Sequence, residues 1–376
     1  MALPLSFLIF INLLTYFLII LLLWKAYKPC YQVRIKNRQW AIILIILFFL
    51  FAFWGGDYEH YLLNMKEIAK DYTSIEGPYV FFAKMVGSMF LPWRFIIWGG
   101  GFWLLLKLFK LVDVPRDLAL VVFVTLYLHL YSYARVSLSM TIMFFGLALL
   151  YSSKRKRNII LAFAIILSSY FFHKTALFGV VAILIGLVAT KNERKIVIAA
   201  VIFLPTIFVF IQDFLSSFLN LYAFDYSLIN VNVGQKYLMK EAQELGTGTK
   251  LAALLEHTTM YLVAMLYVIM LLKNEIKEMP KSVRIFSNVS FYTIMVASLF
   301  ALDLGANTAV IYARFIRYSM IPSAIFVAYV FSTRQHRKLV RVILITGFMS
   351  VTYYIIYTMY NAYVVSAGFD ILSLFS

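Results

Sequence analysis

Cysteine and charge are both scarce in this chain. One cysteine, Cys30, occurs in 376 residues, so an intrachain disulfide framework is excluded. Charged residues make up 14%, and acids are the rarer sign, with 17 Asp and Glu against 34 Lys and Arg. The five histidines, His60, His129, His173, His257 and His336, are scattered without an HExxH pair, so metal ligation has no support from spacing. There is no glycine-rich phosphate loop: Gly99, Gly100 and Gly101 lie inside an apolar run, where they permit close helix packing. No serine or cysteine nucleophile motif stands out. Internal repeats are missing too, since the Ala-Arg pair at 134–135 that recurs at 313–314 is too short to count. The N-terminus lacks the basic region and small-residue cleavage site of a signal peptide, and its apolar run reads as a retained span.

What is present is apolar. Hydrophobic residues reach 63% and the mean hydropathy is +0.86, against roughly 45–50% apolar residues in soluble domains. Runs of about 15 to 23 apolar residues use up nearly the whole length, leaving no room for a separate soluble catalytic domain. A polytopic membrane protein follows, with its chemistry confined to loops and helix ends. The net charge of +17 then reflects basic residues retained in short cytoplasmic loops beside anionic lipids, and it is no sign of nucleic acid.

The basic loops orient the chain. Lys154, Arg155, Lys156 and Arg157 form the densest cluster and are read as internal. Arg135 and His173 each lie one apolar run away from it and therefore fall on the opposite, external face. The first span, Leu5 to Tyr27, leads to a basic internal loop, and Trp40 to Trp54 returns outward to an acid-bearing segment with Asp57, Glu59, His60, Asp71 and Glu76. Val80 to Leu91 is short, broken by Lys84 and Gly87 and closed by Pro92, and reads as an interfacial or re-entrant helix. Further runs carry the chain in at Lys110, out at Arg135 and in at the KRKR cluster, then through a hairpin tipped by His173 and Lys174. The polar stretch 212–256 reads as a long external loop, with GTGT at 246–249 as a turn or hinge. Loops this long are often functional. The total comes to about twelve crossings with both termini outside. Residues 1–376 form a single integral membrane domain with external loops 55–92 and 212–256.

The external face collects Asp57, Glu59, Glu76, Arg135, His173, Lys174, Arg314 and Arg317 from distant parts of the chain. Arg314, Arg317 and Tyr318 have i, i+3, i+4 spacing and share one helix face. Two guanidiniums on one face repel unless an anion lies between them, and phosphate oxygens suit the planar arginine fork. Against this stands the plainer reading that arginines at membrane ends snorkel to headgroups, that His173 caps a hairpin, and that Asp57 after two glycines is a turn residue.

The pieces GGDYEHY at 55–61, IEGPYVFF at 75–82, ARVSLSM at 134–140, FFHKTAL at 171–177 and RFIRY at 314–318, in this order, resemble the EpsG family within the wider class of Wzy-type O-antigen, capsule and exopolysaccharide polymerases. One departure is Val136, where a glutamine is expected after the arginine. The resemblance implies an all-α, GT-C-like helical bundle of the bacterial inner membrane, with the external interfacial segment and long loop already noted. It also implies a metal-independent glycosyltransferase, without cofactor, that joins oligosaccharide repeats carried on undecaprenyl pyrophosphate. Its partners would be that lipid-linked oligosaccharide, membrane lipids and a chain-length regulator. In that reaction Arg135, Arg314 and Arg317 stabilise the leaving pyrophosphate. His173 or Asp57 is the base for the acceptor hydroxyl, His173 being preferred for its pKa near neutrality. Tyr58, Glu76, Lys174 and Tyr318 contact sugar. Two other classes stay open, a flippase for lipid-linked oligosaccharide and a membrane O-acyltransferase acting on glycans. A flippase would line a central path with charge, and the spans carry little.

Overall fold

The computed structural model describes residues 5–27, 37–52, 61, 65, 68, 70, 77–152, 158–189, 247–301 and 306–366. Long apolar runs that satisfy their own backbone hydrogen bonds give helices, and the described residues contain no strand. The elements are α1 (Leu5–Tyr27), α2 (Asn37–Ala52), α3 (Gly77–Met85) and α4 (Phe90–Arg94). A π-turn, Phe95–Gly99, continues directly into α5 (Gly100–Leu111). Then come α6 (Arg116–Tyr127), a 3-10 turn (Leu128–Ser132), α7 (Ala134–Tyr151), α8 (Ile159–Phe172) and α9 (Ala176–Ala189). The C-terminal half holds α10 (Thr247–Leu272), α11 (Glu275–Glu278), α12 (Lys281–Ala301), α13 (Ala306–Ser332) and α14 (Arg337–Ser366).

Burial divides the helices into centre and rim. Every residue from Leu118 to Tyr127 in α6 is buried, and α7 and the C-terminal two thirds of α13 are buried on nearly all sides. Helices apolar all round belong in the centre of a bundle. By contrast α1, α8, α9 and α14 expose Phe10, Leu22, Ile160, Phe171, Leu184 and Ile345 on their outer faces, as helices bordered by lipid do. Helix α13 packs on α12 and α6, α7 on α8 and α5, and α14 on α10 and α6. The sites at the N-terminus of α7, the α8–α9 hairpin and α13 are thus held on the most buried part of the molecule.

The chain is a helical membrane protein. Among the described residues, four stretches are long and apolar enough to cross a bilayer, Ala134–Tyr151, Leu254–Leu272, Arg314–Ser332 and Arg337–Tyr357, with shorter apolar helices at Ile9–Lys25, Ile159–Phe172 and Ala176–Val188. The predicted twelve crossings are not reached among these helices, because runs such as 196–211 lie outside the described residues and others, like α6, hold 12 residues. The segment predicted as one interfacial helix is in fact two: α3 stops at Met85, and Gly87 and Ser88 adopt left-handed backbone with φ of 64° and 59° before α4 begins. The predicted loop 212–256 also ends early, since α10 already starts at Thr247; the remainder lies outside the described residues.

Close helix approach occurs at other glycines than predicted. Gly101 makes only an ordinary contact with Leu138, whereas a Cβ on Gly186 would meet the Val289 backbone nitrogen of α12 at 2.9 Å. Backbone cannot yield as a side-chain tip does. Gly186→Ala should therefore push α9 off α12 and cost about 1–3 kcal/mol, read as a lower unfolding temperature in detergent. Val188→Ala, on the outer face of the same helix at 69% exposure, should change it little.

Candidate active site

The N-terminus of α7 is positioned by an aromatic cluster. Tyr61, Tyr79, Phe90 and Trp93 pack with Ala134 and Leu138 in a buried group separate from the main core. The Trp93 indole donates to the Tyr79 carbonyl at 3.0 Å, and the Tyr79 hydroxyl donates to the Arg135 carbonyl at 3.0 Å. The Arg135 amide donates to the Tyr61 hydroxyl at 3.4 Å, and the Arg135 guanidinium lies over the Tyr61 ring, 5.6 Å from its centre. Arg94, buried in α4, faces the same ring at 5.2 Å. A helix beginning with Ala-Arg after Tyr133 has orphan amides at its first turn; the Tyr61 hydroxyl accepts from one of them, and Tyr79 of α3 ties down the Arg135 carbonyl.

The α8–α9 hairpin brings His173 to the same end. Ser139 of α7 donates to the Ser169 carbonyl of α8 at 2.8 Å, which fixes the hairpin's register against α7. The Thr175 amide donates to His173 Nδ1 at 3.2 Å, and Thr175 Oγ1 lies 2.7 Å from the same nitrogen. Thr175 Oγ1 is 3.0 Å from the hydroxyl of buried Tyr318 in α13. The amide makes Nδ1 an acceptor, which assigns the ring proton to Nε2. Tyr318 then donates to Thr175, and Thr175 donates to Nδ1.

Burial first, then the positive charges of Arg135, Arg314 and Arg317, push the His173 pKa down to about 3. The ring is therefore neutral at physiological pH, with its proton on Nε2 and its lone pair on Nδ1 occupied. This favours a hydrogen-bond donor over the base that the sequence led one to prefer. Because the folded-state pKa lies below the ordinary 6.5, the unfolded chain binds a proton that the folded chain refuses. The group's full stabilisation is present above pH 6.5 and is lost as pH falls toward 3. Thermal unfolding in detergent across that range should show a smaller acid-induced decline for His173→Gln than for wild type.

Arg135, His173, Arg314, Arg317 and Tyr318 are thus brought together from α7, the hairpin and α13. Arg317 also stacks on Tyr133, its guanidinium carbon 3.8 Å from the ring centre, so both guanidiniums of the i, i+3 pair act on one place. Lys174 sits exposed beside His173 at the hairpin tip. Asp57, Tyr58, Glu59, His60 and Glu76 lie outside the described residues. Among the described residues, no three His, Cys, Asp or Glu side chains are grouped closely enough to hold a metal ion.

Three contributors escaped the sequence reading. The Tyr354 hydroxyl donates to the Tyr133 hydroxyl at 2.8 Å, and the Tyr354 ring lies 5.2 Å from that of buried His129. His129 Nε2 is 3.4 Å from Glu256 Oε2. Glu256, at the end of the predicted long loop, belongs to α10; the run Leu251 to Glu256, rich in Leu and Ala, is the helix signal in the sequence.

The model of the EpsG family matches residues 38–371, which span all of these elements except α1. The chain belongs to the EpsG family. This is a family of Wzy-type polysaccharide polymerase-like proteins, which supports a polymerase-type, glycosyltransferase-like role in general. No curated protein and no solved structure matches the chain. The EpsG assignment covers both halves of the site, the α7–α9 portion with Arg135 and His173 and the α13 portion with Arg314 and Arg317.

Proposed function

We propose that this EpsG-family protein joins oligosaccharide repeat units carried on undecaprenyl pyrophosphate, at the external face of the bacterial inner membrane. The observation that carries this reading is the convergence of Arg135, Arg314 and Arg317 on the hydrogen-bonded chain His173–Thr175–Tyr318. Three guanidiniums at one end of a buried bundle suit a ligand with more than one negative charge, and a lipid pyrophosphate is the leaving group that polymerisation generates.

In the reaction the acceptor sugar's hydroxyl oxygen bonds to the anomeric carbon of the donor, and the bond from that carbon to pyrophosphate breaks. Negative charge develops on the departing oxygen. Preorganised cations aimed at that charge act at full strength because they need not reorganise. His173 adds an Nε2–H donor held in one tautomer by Thr175. Asp57, Tyr58, Glu76 and Lys174 would contact the sugars from the neighbouring loops, with Asp57 kept as a candidate base.

The test is a gel of surface and lipid-linked glycan from cells lacking the gene, complemented with wild type or left empty. A ladder that collapses to single repeats, still delivered to the outer face, supports the polymerase. Repeats stranded inside would indicate the flippase instead, and an unchanged ladder lacking only acyl groups would indicate decoration. Sidedness has its own check: a membrane-impermeant amine label should leave Lys154 unmodified from outside.

A further inference from the structure

The polymerase reading requires a group to take the acceptor hydroxyl's proton, and His173, with Nδ1 engaged by Thr175, is poorly placed to do so. The charge of Arg317 acts both on His173 and on a second titratable pair. Glu256 of α10 has its Oε2 3.4 Å from His129 Nε2, and the side chains differ in exposure: 20% for Glu256, 3% for His129. The histidine is enclosed, while the glutamate side chain is partly exposed. Tyr354 packs on the His129 ring at 5.2 Å and donates to Tyr133, whose ring carries the Arg317 guanidinium at 3.8 Å. The chain Glu256, His129, Tyr354, Tyr133, Arg317 thus connects the pair to the arginine site through four helices or turns. Glu256 stands near the start of the apolar stretch Leu254–Leu272, where an acid is costly unless it has a partner and a use.

We infer that Glu256, held in place by His129, is the base that accepts the proton of the acceptor sugar's hydroxyl. This rests on the polymerase reading of the same site. As the oxygen bonds to the donor's anomeric carbon, its proton passes to the Glu256 carboxylate, and the electron pair of the breaking bond leaves with the lipid pyrophosphate toward Arg135, Arg314 and Arg317. His129 is a positioning residue: it touches the carboxylate and not the sugar.

The experiment uses the full-length protein in liposomes, with lipid-linked repeat units extracted from cells lacking the gene. Glu256→Gln should lower kcat about 100-fold or more while leaving KM near wild type, because glutamine keeps the shape and loses the basicity. Glu256→Ala should regain part of its rate on addition of formate, a small carboxylate able to fill the space, which an unfolded variant would not do. His129→Gln should lower kcat less than Glu256→Gln does. A glutamine variant within about threefold of wild-type kcat overturns the inference, as does a loss in Glu256→Ala that formate leaves untouched. Wild type that forms no polymer at all would instead overturn the polymerase reading, so the two failures are distinguishable.

Discussion

Arg135→Ala should lower polymerisation about 10²–10³-fold, the usual loss when one preorganised charge-stabilising donor is removed from a transition state, and should leave insertion and acceptor binding in place. The separation of these effects follows from how the residue is held. Its backbone carbonyl and amide take the bonds from Tyr79 and to Tyr61, and alanine keeps both. Only the guanidinium over the Tyr61 ring disappears. That loss also removes one of the three charges that depress His173, so the His173 pKa should rise in the variant, a shift that NMR of the labelled ring can follow. Arg135→Lys should recover less than full activity, since an ammonium restores charge without the planar fork that grips two phosphate oxygens. Turnover in liposomes, measured beside acceptor binding, checks the prediction. Full activity in Arg135→Ala would remove this residue from the chemistry.

The parts of this site that the sequence disclosed are those that the membrane makes conspicuous. In apolar runs, an arginine or histidine can stand only near an end, and the basic clusters say which end. That logic reached Arg135, His173, Arg314, Arg317 and Tyr318, and the helical spacing of the last three is what the backbone of α13 realises. Contacts across the bundle were out of reach. Tyr133 and Tyr354 are separated by 221 positions, and among 26 tyrosines nothing in either one's neighbourhood marks it. Glu256 is hidden for a different reason: two glycines and two threonines before it suggest a turn, while α10, packed on α14 and α12, already starts at Thr247. Arg94 is buried against Tyr61 because α4 begins at Phe90 and carries it to the aromatic cluster, a contact that its sequence neighbourhood does not announce.

Removing both arginines of α13 should be the most damaging change of all, about 10³-fold or more in turnover, yet less than the product of the two single losses. Groups that hold one ligand as a unit do not contribute independently. Arg314 and Arg317 lie on one face, both act on His173, and repel each other unless an anion intervenes, so either alone still attracts the pyrophosphate while losing the grip that fixes it. Arg317→Ala should cost more than Arg314→Ala. Its guanidinium is stacked at 3.8 Å on Tyr133, and such a contact, worth roughly 0.5–2 kcal/mol, fixes the orientation of its planar fork. Tyr133→Leu separates the two effects: charge stays, the platform goes, and kcat should fall less than in Arg317→Ala. Inorganic pyrophosphate offers a readout independent of sugar. It should inhibit wild type, inhibit each single variant more weakly, and fail to inhibit residual turnover in the double variant. Undiminished inhibition of that double variant would mean that the anion binds elsewhere, and that the shared face of α13 serves packing and the membrane boundary instead of the leaving group.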